Sequence, residues 1–101
     1  MIKPIPKRLL EDTITINGTK YSNVRVEPTD EVVTTLYGEM VESDYLIFID
    51  KVNTPDYETL KNLIDEDCVI EYQNKFRTVR NVDILKAFGE HHMEVYVKWL
   101  S

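Results

Sequence analysis

The sequence has one cysteine, Cys68, so no internal disulfide can form and no cysteine cluster can hold zinc. Long hydrophobic runs are missing. The longest is Tyr45-Leu46-Ile47-Phe48-Ile49, whereas a membrane-spanning helix needs about 20 apolar residues. Behind the basic N-terminal residues there is no apolar stretch of signal-peptide length, only Leu9-Leu10, and synthesis in the cytoplasm is the expectation. The three glycines lie far apart, which excludes a glycine-rich phosphate cradle. Basic residues are in deficit: 12 Lys and Arg against 18 Asp and Glu give −6 at pH 7. Such a surface works against non-specific DNA or anionic-membrane binding, which depends on Lys and Arg.

What remains is ordinary globular material. With 101 residues, 43% hydrophobic and 30% charged, the chain suits one domain with one modest core. The acidic surplus is local. From Glu27 to Asp67 there are twelve acidic residues and two basic ones, Lys51 and Lys61, while the rest of the chain is net +4. A solvated acidic face fits this, and so does a loop region that repels an anionic neighbour.

Pro4 and Pro6 fix their own φ and bias the residues before them toward extended backbone. Residues 1–11 are therefore expected to form an extended arm, either frayed or docking Ile2 and Ile5 on another subunit. Residues 12–101 are expected to form the single domain. Thr13-Ile14-Thr15-Ile16 predicts a strand with both isoleucines inward. Asn17-Gly18 predicts a tight turn, because both residues tolerate positive φ. Val24–Glu27 returns, with Val24 and Val26 inward, and Pro28 should end it. Thr29–Ser43 stays open between a strand and a mobile loop that orders on a partner.

Tyr45–Ile49 predicts a strand that is apolar on both faces. One face fills a core; the other needs a helix, the arm or a neighbour over it. Thr54 as N-cap, Pro55 in the first turn, and Tyr57, Leu60, Leu63 and Ile64 on one face predict a short helix over 55–64, a lid for that strand. Cys68–Tyr72, a Gln73-Asn74 turn and Lys75–Val79 predict a hairpin with a bulge near Thr78–Arg80. Met93, Val95, Val97 and Trp99 alternate cleanly on a last strand, which places Trp99 in the core. The fold class is mainly β: a small antiparallel β-barrel of five to six strands with one short helix.

No nucleophile–base pair stands out. His91 and His92 are adjacent, so on a strand they point to opposite faces and are poorly placed to share a metal. They are expected in a polar loop. Asp65-Glu66-Asp67 lacks the alternation and glycine bend of a calcium loop. Cys68 fits a small core residue. Arg77 and Arg80 do not combine with aromatics into a nucleic-acid platform. No enzymatic activity, metal or cofactor is expected.

Three segments carry a resemblance. They are Lys3-Pro4-Ile5-Pro6-Lys7-Arg8-Leu9-Leu10, then Asn23-Val24-Arg25-Val26-Glu27-Pro28, then the Val69–Val79 hairpin. Their order resembles the minor capsid proteins encoded in head–tail gene clusters of tailed phages and prophages of Gram-positive bacteria. That family is similar in turn to the head-completion, or stopper, proteins of the siphophage neck. Two local departures are Glu66-Asp67 where the family carries Gly-Asp, and Gln73-Asn74 where it carries Asn-Gly; Lys51–Asp65 is also more helical than the family's loop.

The resemblance implies a non-catalytic virion protein of the neck, made in the host cytoplasm. It implies a ring of copies beneath the portal that extends and closes the DNA channel and docks the tail. The partners would be portal or adaptor ring proteins, tail proteins and further copies of the chain, with packaged DNA nearby but no sequence-specific binding, and no membrane. The channel-closing loop would fall on Thr29–Ser43. There Glu31, Glu39 and Glu42 would give a negative lumen, and Val32, Val33 and Leu36 would pack between neighbours. Ile2, Pro4, Ile5 and Pro6 would form the docking arm. Two other readings fit the residues: a tail-completion or other neck ring protein, and a small-barrel binding module for a soluble partner or nucleic acid.

Overall fold

The structure, a computed structural model, describes residues 4–35, 37–86 and 89–99. The elements in chain order are β1 (Asp12–Ile16), β2 (Thr19–Pro28), β3 (Val32–Thr34), β4 (Met40–Glu42), β5 (Tyr45–Asp50), α1 (Tyr57–Leu63), β6 (Val69–Tyr72), β7 (Lys75–Lys86) and β8 (Glu90–Trp99). Six strands close into a barrel in the order β1-β2-β5-β8-β7-β6, all pairs antiparallel. Closure removes the exposed edges that an open sheet of this size would present. β3 and β4 form a separate two-stranded hairpin inserted between β2 and β5. The open question over Thr29–Ser43 is thus answered by a folded hairpin.

The tight turns follow from local chemistry. Asn17 (φ 52°) and Gly18 (φ 81°) join β1 to β2, and Gln73 (φ 52°) and Asn74 (φ 61°) join β6 to β7. Positive φ at both central positions is the twist that matches right-handed strands. Gln73 adopts it without the glycine or asparagine that usually stands there.

The core is the alternate set of inward residues: Ile14, Ile16, Val24, Ile47, Ile49, Ile70, Val79, Met93, Val95 and Val97, all essentially inaccessible to solvent. A bulge on β7 lets that set continue. Val79 pairs with Val97 and Asn81 with Tyr96, so Arg80 is the extra residue, within the expected span. The slip carries Val82 and Ile84 onto the inward face and turns Asn81 and Asp83 outward.

Helix α1 differs from its expected role. Tyr57, Leu60 and Ile64 belong to the barrel core itself, so the helix plugs one end of the barrel rather than covering the outer face of β5. Leu46 and Phe48 on that outer face stay half-buried, with Phe48 facing the His92 ring at 6.0 Å. Thr54 is not the N-cap; Asp56 holds that position without a side-chain cap bond. The Thr54 hydroxyl is already committed. It accepts from the Asp50 amide at 3.0 Å and donates to the Asn23 carbonyl at 2.6 Å.

The other end of the barrel overturns the expectation that Trp99 lies in the core. Trp99 follows Val97 on the inward row but lies beyond the core and is 52% exposed. On β7 the inward row runs Val79, Arg77, Lys75, which leaves Phe76 outside and 55% exposed. The register set by Val79 and Ile70 decides this, because a one-residue slip would expel both of them.

Candidate functional site

The inserted hairpin holds most of the residues expected to matter. Its ladder pairs Val32 with Glu42, Val33 with Val41 and Thr34 with Met40. Turn bonds from Thr35 N–H to Glu39 O (2.7 Å) and Gly38 N–H to Thr35 O (3.0 Å) close its tip. At its root, Ser43 N–H donates to Glu31 O and Thr29 N–H to Asp44 O. β4 leans on β7 and β8, and the Tyr37 hydroxyl donates to Ile84 O at 2.8 Å. Alternation divides the two faces. Val33 and Val41 are half-buried, while Val32 and Met40 are exposed on the other side together with Glu42. Glu31, Glu39 and Tyr37 are also exposed. Of the apolar residues expected between neighbours, only Val32 is on the free face; Leu36 lies outside the described residues.

The arm is tethered to its own barrel. Ile5 N–H donates to Asp50 Oδ1 at 3.0 Å, and Asn53 Nδ2 donates to Ile5 O at 2.8 Å. Asp50 is fully buried and its Oδ2 also accepts from the Val52 and Asn53 amides. Pro4 and Pro6 are exposed, and Lys7–Leu9 form a single 3₁₀ turn that interrupts the extended course before Leu10 is buried. Ile2 lies outside the described residues.

The outer face of β7 and β8 is polar yet buried. Asp83 and Glu94 are direct cross-strand partners, both under 10% exposed. Asn81 Nδ2 donates to Asp83 Oδ1 at 2.8 Å, and His92 Nε2 lies 2.7 Å from Glu94 Oε2. Tyr96 completes the patch; burial first, then the Glu94 and Asp83 carboxylates, push its phenol up to about 12. The two histidines depart from expectation. They sit in β8, and their Nδ1 atoms are 2.6 Å apart. The cause is a second bulge: Leu85 pairs with His92 and Lys86 with Glu90, so His91 is the extra residue and swings beside its neighbour. Among the described residues no group of three or more His, Cys, Asp or Glu side chains is placed to hold a metal ion.

Near the helix, Glu90 ties α1 to the start of β8. It accepts from Lys61 Nζ (2.5 Å) and from the Tyr57 hydroxyl (3.0 Å). These bonds hold the Glu90 carboxyl below the usual glutamate range and raise Lys61. Burial pushes the Cys68 thiol up, away from the reactive thiolate.

At the open end of the barrel, between its mouth and the hairpin root, lies a cleft of about 480 Å³. Arg77 is 5% exposed and stacks its guanidinium over the Tyr45 ring at 4.3 Å. Lys75 Nζ sits 4.4 Å above the Trp99 ring. Asp44 organises the rim: one oxygen accepts from the Trp99 amide and lies 3.7 Å from Arg77 Nη1, and the other is 3.7 Å from Lys98 Nζ. Sequence reasoning missed this site. It set Arg77 beside Arg80 and found no aromatic partners, whereas the barrel brings Tyr45 and Trp99 to Arg77 from β5 and β8. Arg80, the bulge residue, is exposed and takes no part.

These features define a closed six-stranded barrel that carries an acidic hairpin and an aromatic, cation-lined mouth. Comparisons with protein-family models, with curated proteins and with solved structures found no match. Among the described residues no helix is long and apolar enough to cross a membrane.

Proposed function

We propose that the protein is a structural component of a phage head–tail connector: a head-completion or stopper subunit that acts as a ring beneath the portal, closes the DNA channel and offers a docking surface to the tail. It would be made in the host cytoplasm and reside in the neck of the virion. The observation that carries this reading is the hairpin Val32–Glu42, inserted into an otherwise closed barrel with Glu31, Glu39 and Glu42 exposed beside Val32 and Met40. Met40 at 75% and Val32 at 49% exposure share one free face of the hairpin; such side chains suit contacts made on assembly. Copies arranged around a channel would present carboxylates to DNA, which slides past like charge without sticking. The resemblance of the Lys3–Leu10, Asn23–Pro28 and Val69–Val79 segments to neck proteins supports the same role.

Shortening residues 31–42 tests this. Heads are expected to assemble and package but lose their genome. Full retention of DNA by such heads would overturn the gate assignment. A second reading, a barrel that binds a soluble partner, is favoured by the cleft at the barrel mouth.

A further inference from the structure

Among the described residues, two buried side-chain polar atoms lack a hydrogen-bond partner: Arg77 Nε and Thr29 Oγ1. Both residues line the same cleft at the barrel mouth. Folded proteins leave few such atoms, and each calls for an explanation. Arg77 is also an unusual choice for a buried position on the inward row, next to Val79 and opposite Ile70. A cation there costs desolvation that Asp44, 3.7 Å away and shared with Lys98, repays only in part. Both residues border one open cleft, where Arg77 keeps a charge that its own chain neutralises only in part.

The chemistry of that ligand follows from the lining. Three cations, Lys75, Arg77 and Lys98, face two carboxylates, Glu31 and Asp44, leaving a surplus of one positive charge. A monoanion neutralises that surplus; a dianionic phosphate or a nucleic-acid backbone would meet Glu31 at the rim and a chain of net charge −6. A guanidinium prefers a planar two-oxygen acceptor. The half-exposed Trp99 ring beside it offers a flat apolar surface. We infer that the mouth cleft binds a peptide segment bearing a single carboxylate, taking that carboxylate onto Arg77 and Lys98 with the adjoining apolar side chain against Trp99. This goes beyond the connector role and does not depend on ring formation.

Trp99 is the sole tryptophan, so its fluorescence reports occupancy in the full-length protein. The probes are Ac-Ser-Leu-Glu-Leu-Ser-NH2, which carries one carboxylate, its glutamine analogue, and inorganic phosphate. The acidic peptide should change the emission saturably, and added salt should weaken it. The glutamine analogue and phosphate should bind at least about tenfold more weakly, and Arg77→Met should weaken the acidic peptide by at least about tenfold, the loss of one charge-assisted hydrogen bond. Lys98→Gln, at a partly exposed position that the fold does not need, should weaken it several-fold. The inference is overturned if the acidic peptide gives no saturable change, if the glutamine analogue or phosphate binds as tightly, or if both variants bind like the parent.

Discussion

Replacing Arg77 by methionine separates what this residue does for stability from what it does for binding. The residue is 95% removed from solvent, and its guanidinium stacks on Tyr45 at 4.3 Å and approaches Asp44 only to 3.7 Å. The desolvated stacking is worth about 2 kcal/mol. Against it stand the unpartnered Nε, which costs about 1–3 kcal/mol, and the uncompensated part of burying the charge, of order several kcal/mol. Methionine has similar reach, adapts to irregular space and leaves no polar atom. Asp44 keeps the Trp99 amide and Lys98, so no carboxylate is stranded. Arg77→Met should therefore unfold in urea at the parent midpoint or above it, with a gain between about 0 and 2 kcal/mol and an unchanged m-value. Arg77→Ala, which empties the space under Tyr45 and Trp99, should lose about 2 kcal/mol. A loss of more than about 2 kcal/mol in the methionine variant would refute the reasoning. It would mean that the Asp44 pair and the stacking outweigh the desolvation cost.

Asp50→Ala removes the acceptor of three amides, from Ile5, Val52 and Asn53. It should cost about 3 kcal/mol, since each charge-assisted bond contributes about 1.5–3 and the loop amides can partly rehydrate; hydrogen exchange at the Ile5 amide should speed up as the arm detaches. Glu90 carries a lowered carboxyl through Lys61 and Tyr57. A depressed acid contributes stability above its unfolded value, near pH ~4.3, and loses that stability as pH falls through the folded value. Urea midpoints of Glu90→Gln should thus fall less steeply than the parent's below about pH 4.3 and lie lower at neutral pH; parallel acid profiles would contradict the network.

The barrel was legible because its signals were local. Ile14 and Ile16, the Asn17-Gly18 turn, and Met93-Val95-Val97 announce inward rows without help from the rest of the chain. The β7 bulge falls within the expected Thr78–Arg80, but the break in alternation that suggested it, between Phe76 and Val79, arises because Phe76 faces outward; the register shift itself lies between Val79 and Asn81. The mouth cleft was not legible. The register of β6 and β7, fixed by Ile70 and Val79, turns the hydrophobic Phe76 outward and the cationic Arg77 inward, and register overrides one residue's preference. Trp99 continues an inward row that has already left the core, and nothing in the sequence marks where a barrel ends. The His91–His92 contact depends on a bulge between two long strands, a pairing that no single segment encodes. The Thr29–Ser43 hairpin hid its alternation because its exposed face mixes Val32 and Met40 with Thr34 and Glu42.

The central claim is that this barrel serves in a ring at the neck, with the acidic hairpin at its channel. Electron microscopy of purified heads, made with and without the protein, tests it most directly. The account predicts ring density beneath the portal, built from subunits about 41 × 31 × 23 Å, that is present with the protein and missing without it. Necks identical in the two preparations would contradict it.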